Sequence, residues 1–216
     1  MVYFTLFFIG KQYGVTIGEM DAQLQEKIIS LLTGDRALPT RESLEAQFPA
    51  RQLSSGAEVT RLCPSPTGFV HIGTVFTAQL CQFVAYQSGG VYMLRIEDTD
   101  KKREVSGAKE LIAQQLAHFG LAPDEGLMAD GTTKGAYGPY VQSERADIYL
   151  AFAIELLRAG RAYPCFATPE ELQNAVKDQQ SKKMRPGYYG EWALWRDKTD
   201  AQVMEALEAG KPFVLR

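Results

Sequence analysis

The residue types able to handle an anionic ligand gather in one part of this 216-residue sequence. Arg61 to Ser65 forms one cluster and Glu97-Asp98-Thr99-Asp100 a second. Between them a loop, Pro64-Ser65-Pro66-Thr67-Gly68, leads to His71 and Gly73, where a helix begins. A helix N-terminus concentrates unpaired N–H groups and the positive end of the backbone dipole, which suits a phosphate. A histidine donor there can follow charge onto phosphate oxygens during displacement at phosphorus. Gly73, lacking a Cβ, lets a flat base approach the backbone. The other histidine, His118, lies on a helix beside Phe119 and reads as structural or surface. Each of these residues taken singly has a bland reading; it is the grouping that points to a site.

The elements that must position them are legible. Val59 to Cys63 reads as a strand, and the prolines that follow exclude helix. A helix from Thr74 carries Phe76, Leu80, Phe83 and Val84 on one face and closes at Gly89-Gly90. Val91 to Ile96 is a near-continuous apolar run, as in a strand buried on both faces. Strand, helix and strand within about 40 residues make a βαβ unit with a right-handed crossover into a parallel sheet. Ligands of open parallel sheets sit outside the carboxyl ends of the strands, where both clusters fall.

Elsewhere the periodicity is mainly helical. One helix starts at Asp21, with Leu24, Ile28, Leu31 and Leu32 on a face, and ends at Gly34; a shorter one runs from Pro39-Thr40 to Phe48. Ser54-Ser55-Gly56 reads as a linker. A helix from Ser106 to Phe119 buries Ala108, Ile112, Leu116 and Phe119, with Gly120 as its cap. A Gly-rich loop runs to Tyr140. Ser143 then caps a helix with Ile148, Phe152 and Leu156 inward. Thr168-Pro169-Glu170-Glu171 and Thr199-Asp200-Ala201-Gln202 are capping boxes. Pro212 to Arg216 reads as a strand.

Hydrophobic content of 45% beside 23% charged residues describes a globular protein, and a net charge of −3 leaves any nucleic-acid contact to local clusters. Cys63, Cys81 and Cys165 are odd in number and scattered, which fits a reducing cytoplasm better than a disulfide framework. The apolar start, Met1 to Gly10, is shorter than the ~20 residues of a membrane helix and lacks signal-peptide features. It reads as a strand, with a hairpin through Tyr13 to Ile17.

Arg61-Leu62-Cys63-Pro64-Ser65-Pro66-Thr67-Gly68-Phe69-Val70-His71-Ile72-Gly73-Thr74 closely resembles the ATP-binding signature of bacterial glutamyl-tRNA synthetases, in which the class I "HIGH" tetrapeptide often ends in threonine. Leu94-Arg95-Ile96-Glu97-Asp98-Thr99-Asp100 resembles a second family stretch, and Gly138-Pro139-Tyr140-Val141-Gln142-Ser143-Glu144-Arg145 a third. Ala162-Tyr163-Pro164-Cys165-Phe166 with Thr168 to Leu172 is similar to a fourth. The four occur in family order over about residues 39–216.

The resemblance implies an α/β fold: the first half of a class I, Rossmann-like parallel-sheet domain (59–142), preceded by an extension (1–58). The start of a helix-rich, tRNA acceptor-binding insertion follows (143–216). It implies glutamate binding by Arg61, Cys63, Ser65 and Glu97, with Arg61 on a carboxylate and Glu97 on the α-ammonium. ATP, accompanied by Mg2+, falls to Ser65, Thr67, Gly68, His71, Gly73 and Thr74, with His71 and Thr74 the catalytic pair. Asp100 and Arg103 stand near the arriving tRNA(Glu) end. Lys182, Lys183 and Arg185 either touch tRNA phosphates or form a solvated charged face. Cys63 departs from the usual alanine. Many members hold zinc through a Cys-x-Cys pair and later ligands; here Phe166 and Ala167 follow Cys165, so no zinc is expected.

The implied reaction is glutamate activation and transfer to tRNA(Glu) by a cytoplasmic monomer with no membrane contact. The resemblance also implies that the second half of the catalytic fold and its KMSKS lysine loop are absent from these residues, so that the chain alone is expected to be inactive. Three rivals stand beside this reading: the paralogue that glutamylates queuosine in tRNA(Asp), a small-molecule adenylyltransferase, and a non-catalytic ATP- or tRNA-binding product.

Overall fold

β1 (Val59–Leu62) and β2 (Val91–Leu94) lie parallel, paired from Val59↔Val91 to Leu62↔Leu94. The helix between them, α3 (Ile72–Gln87), makes the expected βαβ unit. This is a computed structural model, and it describes residues 20–216; the strand and hairpin expected over residues 1–17 lie outside the described residues. Before β1 come α1 (Ala22–Thr33) and α2 (Arg41–Gln47), capped by the side chains of Asp21 and Thr40. After β2 follow α4 (Ala108–His118), β3 (Glu125–Leu127) and β4 (Thr133–Lys134). The chain ends with α5 (Ala146–Arg158), β5 (Pro164–Cys165), α6 (Pro169–Ser181), α7 (Asp200–Glu208) and β6 (Val214–Leu215).

Two compact units result. One comprises residues 39–149. Its sheet has the order β1-β2-β3-β4, parallel except for the last strand. Because β1, β2 and β3 step in one direction, right-handed crossovers place α3 and α4 on the same face. Their Ala78, Ala85, Ile112, Ala113 and Leu116 accordingly share one core with Leu62, Tyr92, Leu94 and Ile96. The other unit joins residues 20–38 with residues 150–216. There Leu24 and Ile28 of α1 pack with Ile154 and Leu157 of α5, Phe166, and Val203 and Ala206 of α7. Both capping boxes close as read, and β6 pairs antiparallel with β5.

Several expectations give way. β2 is not buried on both faces: Tyr92, Leu94 and Ile96 are inaccessible while Val91, Met93 and Arg95 are half-buried, because both helices cover one side. The large apolar face of α3 is turned outward, with Phe76 62% and Phe83 60% exposed. Its small residues Ala78 and Ala85 face the sheet, flanked by Val75 and Cys81, which lets helix and strands approach closely. Phe152, Leu156, Leu31 and Phe119, expected inside, are exposed. In α5 the stripe Leu150, Ile154, Leu157 serves instead, and a helix apolar on several sides does not announce which stripe packs. Within the stretch read as a Gly-rich loop lies β3. A Cβ on Gly126 would stand 2.1 Å from the Leu94 carbonyl oxygen, so only glycine lets β3 pair with β2.

Candidate functional site

The pairing of β1 and β2 continues beyond their ends. The Arg95 N–H donates to the Leu62 carbonyl (3.0 Å) and the Glu97 N–H to that of Pro64 (2.9 Å), so the two clusters leave the sheet side by side. On the other flank, Ile96 bridges Val141: its N–H donates to the Tyr140 carbonyl (2.9 Å), and Gln142 N–H donates to the Ile96 carbonyl (2.8 Å). Glu97 therefore sits on a segment held from both sides.

Arg61 is opposite Met93 in the register and thus on the half-buried face, with Arg95 and Glu97. Glu97 Oε1 lies 3.4 Å from Arg95 Nη2 and 3.9 Å from Arg61 Nη2. Arg61, exposed on this face, offers a cation to a ligand carboxylate, and Glu97 offers an acceptor to an ammonium. Sequence reasoning named Arg61 and Glu97 but passed over Arg95. Its signal was a charged residue inside an otherwise apolar strand.

The His71 group is built locally. His71 is the N-cap of α3; the Gly73 N–H donates to its Nδ1 (3.1 Å), and its Nε2 is 3.4 Å from Thr74 Oγ1. With Nδ1 accepting, a neutral ring carries its proton on Nε2, a donor at the mouth of the helix. The space left by the missing Gly73 side chain is taken up by this ring, since a Cβ would stand 3.0 Å from His71 Cε1. The expected approach of a base to bare backbone thus competes with the imidazole. Cys63, Ser65 and Thr67 are exposed on the intervening loop and Gly68 is half-buried. The loop is tied down by Val105 N–H donating to the Pro66 carbonyl (2.9 Å) and by Val70 N–H donating to Gln115 Oε1 (2.9 Å).

Beyond Glu97 the charges pair among themselves. Arg103 Nε is 2.6 Å from Asp100 Oδ2, which holds the Asp100 carboxyl below the usual carboxylate range. Asp98 is fully buried and accepts from Lys101, Lys109 and Ser143. Ser143 is therefore not a helix cap; its N–H and hydroxyl are committed to Asp98, and a 3-10 turn over Gln142–Arg145 precedes α5.

In the other unit, Lys182 is bound to Asp178 (2.8 Å) and Glu191 (3.2 Å), while Lys183 and Arg185 are exposed. Cys165 Sγ meets Tyr188 Oη at 3.1 Å, and Tyr188 also accepts from Trp195 N–H (3.2 Å). Burial, with the Cys165 contact, pushes the Tyr188 hydroxyl well above its ordinary pKa. Among the described residues no three His, Cys, Asp or Glu side chains converge in a way that could hold a metal ion, so the donor set around Cys165 does not fit tetrahedral zinc. An open depression of about 340 Å³ in this unit is lined by Trp195, Arg196, Asp197, Lys198 and Asp200 among others.

The profile of tRNA synthetases class I (E and Q), catalytic domain, matches residues 58–216. The chain belongs to this family. Among its relatives, a glutamate–tRNA ligase of Sorangium cellulosum is 48% identical over 200 residues, covering 86% of this chain and 35% of that protein. One of Acetivibrio thermocellus is 52% identical over 169 residues, covering 78% of this chain and 31% of that protein. A crystal structure of a glutamate tRNA ligase from Elizabethkingia meningosepticum in complex with its amino acid superposes with a TM-score of 0.63 at 36% identity, over 75% of this chain and 32% of that one. The chain thus spans about a third of the length of the relatives it matches. The family assignment and the α/β fold with its parallel sheet agree with the reading of the motifs. No helix among the described residues is long and apolar enough to cross a membrane.

Proposed function

We propose that the whole protein is a glutamate–tRNA ligase that activates glutamate with ATP to glutamyl-adenylate and passes the glutamyl group to tRNA(Glu). The observation that carries this reading is the Arg61–Glu97–Arg95 group at the strand ends, next to a helix start bearing His71. A dicarboxylic amino acid needs cationic partners for its carboxylates and an anionic one for its ammonium, and this group supplies both. Arg61 takes a glutamate carboxylate, Glu97 accepts from the α-ammonium, and Cys63 and Ser65 line the same end. The names of the relatives support glutamate as substrate, and favour this reading over the tRNA(Asp)-modifying paralogue.

ATP lies along Ser65, Thr67, Gly68 and Gly73, with Mg2+ accompanying its phosphates. Nε2 of His71 and the Thr74 hydroxyl donate to phosphate oxygens as the glutamate carboxylate displaces pyrophosphate. Donors already in place where charge develops stabilise that step without reorganisation. Asp100 and Arg103 face the tRNA end, and residues from 143 begin the acceptor-binding insertion, after an extension to residue 58 and the half-domain 59–142. The protein works as a cytoplasmic monomer. ATP–pyrophosphate exchange by the whole protein, with tRNA(Glu) present, tests this. Glutamate-dependent exchange that glutamine and aspartate do not support is expected; exchange with equal efficiency for all three would sink the assignment.

A further inference from the structure

Asp98 and Gln179 are the polar or charged side chains fully buried among the described residues, and no role in the reaction described above uses Asp98. It is 1% exposed, at the inward position of β2's alternation that Tyr92, Leu94 and Ile96 occupy before it. A buried carboxylate at the end of an apolar row is costly unless it is paired and hydrogen-bonded. Here four donor contacts reach it. Oδ1 accepts from Ser143 N–H at 2.9 Å. Oδ2 accepts from Ser143 Oγ at 2.7 Å, Lys109 Nζ at 2.7 Å and Lys101 Nζ at 3.1 Å. Burial alone would raise its pKa, but these donors outweigh it and hold the carboxyl far below the usual range.

The donors come from three places: the loop after β2, helix α4, and the turn before α5. Both lysines also bind Glu104, at 2.8 Å from Lys101 and 3.3 Å from Lys109, closing a ring of charges around the loop. Near Asp98 in the chain stand Glu97, on the opposite side of the strand end, and the pair of half-buried Asp100 and exposed Arg103.

We propose that Asp98 is the positioning residue of this site, a buried anchor that sets where Glu97 meets the substrate ammonium by clamping the segment after β2 to Ser143 and Lys109. It touches no substrate. Its effect passes through the backbone of one residue, so it falls on amino-acid binding and leaves the His71 group alone. This rests on the proposed function. Misplacing a binding group by about 1 Å costs up to ~10²-fold. Asp98→Asn keeps the size, loses the charge and sets an amide against lysine.

The test compares Asp98→Asn, Ser143→Ala and Ser143→Thr in glutamate-dependent ATP–pyrophosphate exchange by the whole protein, with amide hydrogen exchange over residues 97–104 measured alongside. The expected result for Asp98→Asn is a glutamate KM raised about tenfold or more, with ATP KM within about threefold. Ser143→Ala, which keeps the backbone donor and leaves the other contacts intact, should shift glutamate KM the same way by about threefold, and Ser143→Thr should restore it. Faster amide exchange at 97–104 accompanies the rise. If Asp98→Asn does not fold, the Ser143 pair decides. Variants that lose thermal stability while both KM values stay put would overturn the inference and leave Asp98 a structural anchor. Absence of glutamate-dependent exchange in the unaltered protein would instead fail the proposed function, and this inference with it.

Discussion

The two halves of the candidate site are built in opposite ways. The His71 group is local and exposed: a cap, a glycine and a threonine within one helical turn, joined by contacts three residues apart at most. The Glu97 group is assembled from distant sequence. Arg61 comes from β1, Arg95 and Glu97 from the end of β2, and the segment is held by Pro64, Tyr140 and, through Asp98, by Ser143 and Lys109. A local motif survives loss of its neighbours, because helix capping needs only the first turn. A long-range constellation depends on every element that brings it together. Phosphate handling should therefore be robust to changes elsewhere in the unit, and amino-acid binding should not.

The largest effect that would sharpen this contrast is at His71. His71→Ala should lower the exchange rate of the whole protein by about 10²–10³, or ~3–4 kcal/mol, as for loss of one preorganised donor. Thermal stability should fall only by the worth of the lost cap to Gly73 N–H, about 0.5–2 kcal/mol. A rate within a few-fold of the unaltered protein would mean that the ring serves only as a cap.

Glu97→Gln comes next. It should raise glutamate KM far more than ATP KM, by roughly 2–4 kcal/mol for loss of a charge-assisted pair. An unchanged glutamate KM would place Glu97 among the structural residues and dissolve the distinction drawn here.

A pH titration of stability separates the two regions without substrate. The Asp98 carboxyl is held low in the folded protein, and Glu125 likewise by its hydrogen bonds from Arg51 (2.6 and 2.7 Å). A carboxyl with a depressed folded pKa contributes stability in full above its unfolded value and loses it as pH falls through the folded one. The melting temperature should hold near neutrality and decline below about pH 4, and Asp98→Asn should flatten part of that decline. An identical acid slope in the variant would show that Asp98 is not protonation-linked to folding.

The smallest effects belong to the Cys165 region. Purified protein should carry zinc well below one equivalent by elemental analysis; a stoichiometric amount would reveal a donor set that the geometry does not offer. Tyr188→Phe should cost about 1 kcal/mol, the worth of a hydrogen-bonded hydroxyl, read as a lowered melting temperature. No change would mean that ring packing alone holds the loop.

Much of the site was legible because its parts are short-range. The prolines after Cys63 exclude helix, and His71 stands next to a helical run, so their placement needed no knowledge of the fold. β3 was not legible. Glu125, Gly126 and Leu127 carry no strand signature, and their pairing follows from the missing Cβ at Gly126, which matters only against Leu94. Ser143 reads as a cap in isolation, yet its donors were claimed by a carboxylate 45 residues away.

By itself the sequence determined the order of the helices, both capping boxes, the βαβ core of the site and the family, because caps, turns and motifs are decided by neighbours along the chain. Tertiary structure alone decided which face of each helix is buried. On α3 both the Phe76–Phe83 side and the Ala78–Ala85 side are apolar, so hydrophobicity could not choose between them. The choice fell to the side small enough to let the helix lie close on β1 and β2, since close contact with the sheet is worth more than a larger surface held at a distance. The pairing of Arg95 with Glu97, and the burial of Asp98 rather than Asp100, were likewise settled by where β2 ends and what closes over it.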